Sequence, residues 1–492
     1  MKITLNLVKP KKIRLHFLFL LGKKSIIAII SVLLGLIASI ALSFLFDSFA
    51  SSPQPKSFSA LAPLDIRTEQ EWCDFEQQLA IAQEMGIHAI ATDIWWGKVE
   101  RAGDQKFNWQ YYDRMVEAIQ AANLHWIPLL SFHQCGGNVG DDCMIPIPEW
   151  IWTHFPDIAP ETLKYVSEKG NASSEVVALW ADQFVLQEYE EFMVAFKQRY
   201  YDRAEIIDEI QISLGSASEL RYPAYNAHDN YQYPHRGYFQ AYSNPAQVSF
   251  RNSVRDRYRS LYAINKAWQT KLTSWQQIKP PQQPEQFVQQ RDYIDTQYGR
   301  DFIDWYNQSL IDHGQRMLEI ANKTLAGNFD QIPLGIKIPG IHWQIVHPKT
   351  PRIGEITTGL IPTSLNFHDP STGYGYLPLL EVAKHLEPSR KVILHYTAVE
   401  FSNGRDRALN AHSRAKDLVG WVAITANQLG ISLKAENALQ GELNNPQAWE
   451  NINEALDHYQ FSGFTALRLA EVTKSQFSSQ QYKELIQKHS LD

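Results

Sequence analysis

The sequence predicts an α/β fold, a (β/α)8 TIM barrel with long βα-loop insertions, preceded by an N-terminal transmembrane helix. Three observations carry this expectation. From Phe58 onward, apolar runs of strand length alternate with longer segments of helical period, the pattern of parallel strands joined by helical crossovers. Eight such runs can be placed, the number a closed barrel needs. Near the N-terminus one uncharged apolar run is long enough to cross a bilayer.

That run extends from Ser25 to Phe46 and follows Lys2, Lys9, Lys11, Lys12, Arg14, Lys23 and Lys24. As a helix it spans about 33 Å. The expected organisation is a basic segment at 1–24, a signal-anchor helix at 25–46, a short tether at 47–57 around Pro53 and Pro55, and a catalytic barrel at 58–492. The positive-inside bias places the barrel on the exported side of a membrane, held by a single-pass anchor. Ser48 and Ala50 form a small-residue cleavage pattern, so a secreted form cut after Ala50 stays open.

Within the barrel, strands are expected at 58–64, 88–93, 126–131, 209–214, 334–338, 392–396, 431–435 and 464–469. Helices are expected at 69–85, 111–122, 176–200, 302–321, 378–386 and 408–428. Between the fourth and fifth strands lie a helical stretch at 245–270 and the turn Pro280-Pro281-Gln282, an elaborated excursion able to wall a cleft. Cys135 and Cys143 are the most plausible disulfide pair, with free buried thiols an equal reading for all three cysteines.

Charge narrows the function classes. Residues 1–46 carry seven basic side chains and no acidic ones, leaving 39 basic against 53 acidic, a net of −14. Such a body has no field to attract nucleic acid. No Gly-rich nucleotide fingerprint with an adjacent lysine follows a strand, and His133, Cys135 and Cys143 lack metal-site spacing, so neither a cofactor nor a metal is expected.

The candidate chemistry lies at strand ends, where barrels place their sites. Asp93 ends the second strand before Trp95, Trp96 and Gly97, and suits adjacent sugar hydroxyls, with an indole on a pyranose face; a capping Asp and packing tryptophans explain it equally. After the third strand, His133 and Asp141 flank Gly136, Gly137 and Gly140 in a loop able to close over substrate. Glu219 follows the fourth strand and can protonate a glycosidic oxygen, although a salt bridge to Arg221 is the plainer reading. Glu436 and Asn437 end the seventh strand, with a Lys434–Glu436 pair as the plainer reading. If the two glutamates stand roughly 6.5 to 9.5 Å apart, a water fits and hydrolysis with inversion follows. Lys337, His342, Trp343, Thr397 and Arg468 can complete the site as donors, a stacking ring and a water-orienting hydroxyl; Glu400 is a third acid of undetermined direction.

These loops resemble the beta-amylases, glycoside hydrolase family 14. The resemblance rests on Asp93-Ile-Trp-Trp-Gly97, His133-Gln-Cys-Gly-Gly-Asn-Val-Gly-Asp141, Gly215-Ser-Ala-Ser-Glu219-Leu-Arg-Tyr-Pro223, Gly340-Ile-His-Trp343 and Glu436-Asn-Ala438, in order across roughly residues 58 to 475. It implies inverting release of beta-maltose from non-reducing ends of alpha-1,4-glucans or maltodextrins. Glu219 resembles the general acid and Glu436 the base. Asp93, His133 and Asp141 resemble the holders of the terminal glucose, and Lys337, His342, Asn437, Ala438 and Arg468 further substrate positions. Thr397 resembles an inner-loop threonine that moves on binding. His395-Tyr396 and Gln344 depart from the usual residues, so subsite energetics are expected to differ. The alternatives are a related hydrolase or transglycosylase with a changed product pattern, and a membrane-held glucan sensor.

Overall fold

Period-2 alternation divides each strand between the barrel lumen and the surrounding helices. The computed structural model describes residues 56–137 and 141–490. Its eight barrel strands are β1 (Ser57–Leu61), β2 (Ala89–Trp95), β3 (His125–Ser131), β4 (Ile210–Ile212), β5 (Leu334–Ile338), β6 (Val392–Thr397), β7 (Ser432–Glu436) and β8 (Gly463–Ala466). They close in the order β1-β8-β7-β6-β5-β4-β3-β2, all neighbours parallel. In β2 the small Ala89 and Ala91 pack with Leu61 and Ile127 in one cluster, while Ile90 and Ile94 join the large core against the helices.

The lumen is unusually polar below the rim. Ser59 Oγ and Thr465 Oγ1 lie 2.8 Å apart across β1 and β8. Glu209 and His395 form a fully buried pair, with Lys434 acting on the same carboxylate. Burial raises the Glu209 pKa, but the facing His395 and Lys434 charges win and leave it below the ordinary value. Gly335 makes room: a Cβ there would lie 1.9 Å from Glu209 Oε1.

The first helix, Glu69–Met85, starts on a complete capping box between Thr68 and Glu71 and ends on Gly86 at φ 89°. Other boundaries differ from the sequence expectation where loops compete for backbone groups. The segment expected as helix from 408 begins only at Ala415, because residues 411–414 pair with 342–346: Gln344 N donates to Ala411 O at 2.8 Å and Arg414 N to His342 O at 3.0 Å. The expected helix at 176–200 spans Asp182–Arg199, since Val176, Val177 and Ala178 are buried in irregular chain and Leu179–Ala181 forms a 3-10 turn before it. The stretch at 245–270 is two helices, Asn244–Tyr258 and Leu261–Trp268, broken by Arg259 at φ 61° and restarted by the Ser260 cap. Helices Pro446–Asp457 and Gln476–His489, to which the sequence reading assigned nothing, begin at Asn445 and Ser475 caps.

The fold expectation is corrected on one element. Among the described residues no helix is long and apolar enough to cross a membrane. The longest, Gln297–Thr324, is amphipathic and buries Phe302, Tyr306 and Leu310 in the core while carrying charges such as Glu319 and Lys323 outward. The basic segment 1–24, the helix at 25–46 and most of the tether lie outside the described residues. The membrane contact and the exported-side or secreted placement that rested on them are therefore withdrawn.

Cys135 and Cys143 are disulfide-bonded with Cα atoms 5.7 Å apart, and Cys73 is a free exposed thiol. The bond closes the base of the loop containing residues 138–140, which lie outside the described residues. Backbone bonds between Cys135 and Ile145, at 2.9 and 3.0 Å, reinforce that closure.

Gly97 explains the glycine after the two indoles, since a Cβ there would sit 1.7 Å from Pro146 O. We expect Gly97→Ala to lower the urea midpoint by the equivalent of about 1 to 3 kcal/mol, the usual cost of an overpacked contact. An unchanged midpoint would show that the 146–147 backbone yields freely.

Candidate active site

Seven of the eight strands deliver a candidate residue to one rim. Asp93 lies in β2, His133 two residues past β3, and Glu219 in the loop after β4. Lys337 lies in β5, Thr397 ends β6, Glu436 ends β7, and Arg468 follows β8. The backbone ladder joins the central members: Glu219 bridges Lys337, Lys337 pairs with His395, and Thr397 pairs with Glu436.

Glu219 sits on a strained loop. Ala217 and Ser218 occupy the left-handed region at φ 54° and 69°, and such residues cost about 1 to 3 kcal/mol each. Gly215 permits the fold-back, because a Cβ would lie 2.6 Å from Glu219 O. His313 braces the strand end, with Nε2 3.1 Å from Leu214 O and Nδ1 2.9 Å from Asp182 Oδ2. Arg316 adds a 2.6 Å contact to the same Asp182 oxygen. The Glu219 carboxyl receives Arg221 Nε on Oε2 at 2.7 Å and Thr397 Oγ1 on Oε1 at 2.9 Å. The Arg221 salt bridge is thus real, and it coexists with placement on the rim. Arg221 is itself held by Asn226 Oδ1 at 2.8 Å and lies over the Tyr225 ring at 4.2 Å.

Glu436 pairs with Lys337 rather than Lys434. Lys337 Nζ donates to both of its oxygens at 2.9 Å, whereas Lys434 Nζ lies 3.3 Å from Ser57 Oγ. Thr397 completes the link, accepting Gly340 N at 3.2 Å while it donates to Glu219. One continuous set of contacts therefore runs from Glu219 through Thr397 and the β6 to β7 ladder to Glu436.

The remaining candidates fall into two groups. Asp93 accepts Ser131 Oγ at 2.9 Å; burial raises its pKa against the opposing pull of Arg468 and Lys337. His133 and His342 are buried and pushed down to about 3, His133 also by the Lys337 and Arg221 charges and His342 also by Arg405. Neutral rings suit hydroxyl recognition. Ser213 Oγ orients the first at 2.9 Å and Ser413 Oγ the second at 2.8 Å.

Asp141, Asn437 and Ala438 are engaged with the chain. Asp141 Oδ2 accepts Gly136 N at 3.0 Å across the disulfide-closed loop. Asn437 accepts Leu467 N at 2.7 Å and donates to Leu439 O at 3.1 Å, which joins the loops after β7 and β8. Ala438 N donates to Glu400 Oε1 at 2.8 Å. Glu400 also accepts Leu439 N, and its own carbonyl accepts Asn451 Nδ2 at 2.8 Å, so this third acid supports the Glu436 loop from behind. Trp96 packs against Phe132, Trp150 and Tyr189, and Trp95 against His133; both are buried, which fits the packing reading of the indoles.

Ser213, Ser413 and His313 were missed as supports, since each reaches its partner from a distant part of the chain. Two groups among the described residues gather three metal-capable side chains: His88, His125 and Asp208, and Asp104, His154 and Glu188. Neither includes a residue of the rim.

The profile of glycosyl hydrolase family 14 matches residues 60–490. A Bacillus cereus protein named beta-amylase is 35% identical over 462 residues, covering 94% of this chain and 80% of that protein. The thermophilic beta-amylase of Thermoanaerobacterium thermosulfurigenes is 36% identical, covering 86% and 72%. The crystal structure of the catalytic domain of beta-amylase from Paenibacillus polymyxa superposes with a TM-score of 0.77 at 33% identity, covering 88% of this chain and 98% of that one.

Glu400 supplies a pH prediction. Burial pushes it up to about 8 from 4.5, against the backbone N–H bonds that lower it. It takes up a proton on folding between those values, so its contribution to stability is complete below the lower one and lost as pH rises through the higher. Denaturant midpoints measured from about pH 5 to about pH 8.5 should fall less steeply for Glu400→Gln, which keeps an acceptor for Ala438 N and cannot ionise. Parallel slopes for the two proteins would contradict this assignment.

Proposed function

Because the chain belongs to glycosyl hydrolase family 14, we propose that Glu219 is the general acid and Glu436 the general base of a hydrolysis that inverts the anomeric carbon. The protein is an exo-acting glycan hydrolase of the beta-amylase family. The finer reading is release of beta-maltose from the non-reducing ends of an alpha-1,4-glucan or maltodextrin. The observation that carries it is the pair of buried glutamates on one rim, each with a different partner.

Those partners support different roles. Lys337 faces both oxygens of Glu436 with an ammonium, matching the charged form a base needs. Glu219 has one partner that only donates, Arg221, and one hydroxyl, Thr397, that can also accept. A protonated Glu219 Oε1 keeps the Thr397 contact with its direction reversed. In the reaction Glu219 gives that proton to the glycosidic oxygen as the bond breaks. Glu436 takes a proton from water as it attacks C1 from the opposite face.

Asp93, with Arg468 acting on it, and His133 are assigned to the terminal glucose, with Asp141 on the closing loop. Lys337, His342 and Arg468 are assigned to further substrate positions. Asn437 and Ala438 act through their loop, since the Asn437 side chain is committed to Leu467 and Leu439. A membrane-held sensor is set aside, because the relatives are named as amylases and both glutamates are present.

Glu219→Gln and Glu436→Gln should each lower kcat by at least about 10²- to 10⁴-fold while each variant still unfolds in a cooperative thermal transition, lowered for Glu436→Gln because Lys337 loses its partner. Wild-type maltose release by either variant would remove its residue from the mechanism. NMR of early product from a maltooligosaccharide should show disaccharide in the beta form. Alpha product or random internal cuts would favour the related hydrolase or transglycosylase instead.

A further inference from the structure

The barrel end opposite the rim carries a cluster that catalysis does not use. His88 immediately precedes β2, His125 opens β3, and Asp208 lies two residues before β4. His88 Nε2 is 3.0 Å from Asp208 Oδ2, and His125 Nδ1 is 2.6 Å from Asp208 Oδ1. The imidazole centroids are 4.3 Å apart at 32°, and one ligand atom from each of the three side chains lies within 4.8 Å of the others.

From this geometry we propose that His88, His125 and Asp208 form a binding site for a divalent transition-metal ion of the Zn²⁺ type. Two imidazole nitrogens and one carboxylate oxygen suit zinc and its neighbours in the series, whereas calcium and magnesium prefer sites built from oxygen alone. The scaffold is rigid. His88 N donates to Phe58 O at 2.9 Å, His125 N to His88 O at 3.0 Å and Asp208 N to Trp126 O at 3.1 Å, so three ligands hang on adjoining strand starts.

Access is open on the solvent side. The His88 and His125 side chains are 52% and 39% exposed, which lets an ion enter and leaves a coordination position for water. The ion takes the place of the protons that now join each ring to Asp208. The groups facing the cluster are Asp208 itself, Lys434 and, beside Lys434, the buried Glu209. Lys434 opposes a second cation and Glu209 offsets it. Asp208 raises the His88 pKa, so protons compete with the metal and binding strengthens as pH rises. A bound ion would tie the starts of β2, β3 and β4, leaving the glutamate rim untouched.

Chelator-treated protein should bind ZnCl₂ at this cluster, seen as a saturable calorimetric signal and a higher thermal midpoint. His125→Ala and Asp208→Asn should each weaken that binding at least tenfold and abolish the midpoint shift, with maltose release without zinc unchanged. His154→Ala, in the second cluster, should leave the signal intact. Crystals soaked in ZnCl₂ should give an anomalous peak between His88 and His125. Binding that persists in both cluster variants, binding lost only in His154→Ala, or a soaked crystal without that peak would overturn the proposal.

Discussion

Lys337 is the hinge of the rim's electrostatics. Its backbone bridges Glu219 and its ammonium holds both oxygens of Glu436, so one residue of β5 touches both carboxyl-bearing segments. The pair is buried on both sides. In such surroundings an unpaired charge is costly, and removing one partner of a buried pair commonly costs about 3 to 5 kcal/mol. The two glutamates are therefore tied to barrel closure: the strands must assemble around β5 before Glu219 meets Thr397 and Glu436 meets Lys337.

A second constraint is the number of charges in the lumen. Glu209 with His395, Lys434 above Ser57, Lys337 with Glu436, and Asp93 facing Arg468 share a space that most barrels fill with aliphatic side chains. The charged pairs join alternate strands with one strand between the partners: the start of β4 with β6, β5 with β7, and β2 with the end of β8. Small residues make that possible, as Gly335 leaves the volume that Glu209 occupies. The neutral His133 and His342 at the rim are the counterpart: burial above all, and then the cations nearby, depress their protonation.

Support for the rim comes largely from residues that brace its strand ends and loops. His313 and Asp182 brace the end of β4 before the left-handed Ala217 and Ser218. Asn437 and Glu400 stitch the loops after β6, β7 and β8 together. The disulfide performs the same service for the loop after β3. Backbone strain at Glu219 persists because these contacts over-determine the local path.

Much of the fold was legible in the chain, and the reasons are local. Strand and helix periods and strand-end acids depend on neighbours within a few residues, so the eight strands and the strand-end places of Glu219 and Glu436 could be read directly. Long-range competition was not legible: residues 408–414 carry a helical pattern, yet the Ala411 and His412 carbonyls accept from 344 and 346 and Arg414 N donates to His342 O, and β8 stops at Ala466 because Asn437 takes the Leu467 amide. The same limit applied to Glu436, whose partner two residues away on its own strand was the obvious guess. Which cation it meets is decided by register between strands 99 residues apart, and so by barrel closure. Sequence by itself nominated the residues proposed to bear the chemistry; tertiary structure decided which of them share a proton or a charge, because only strand pairing sets those distances.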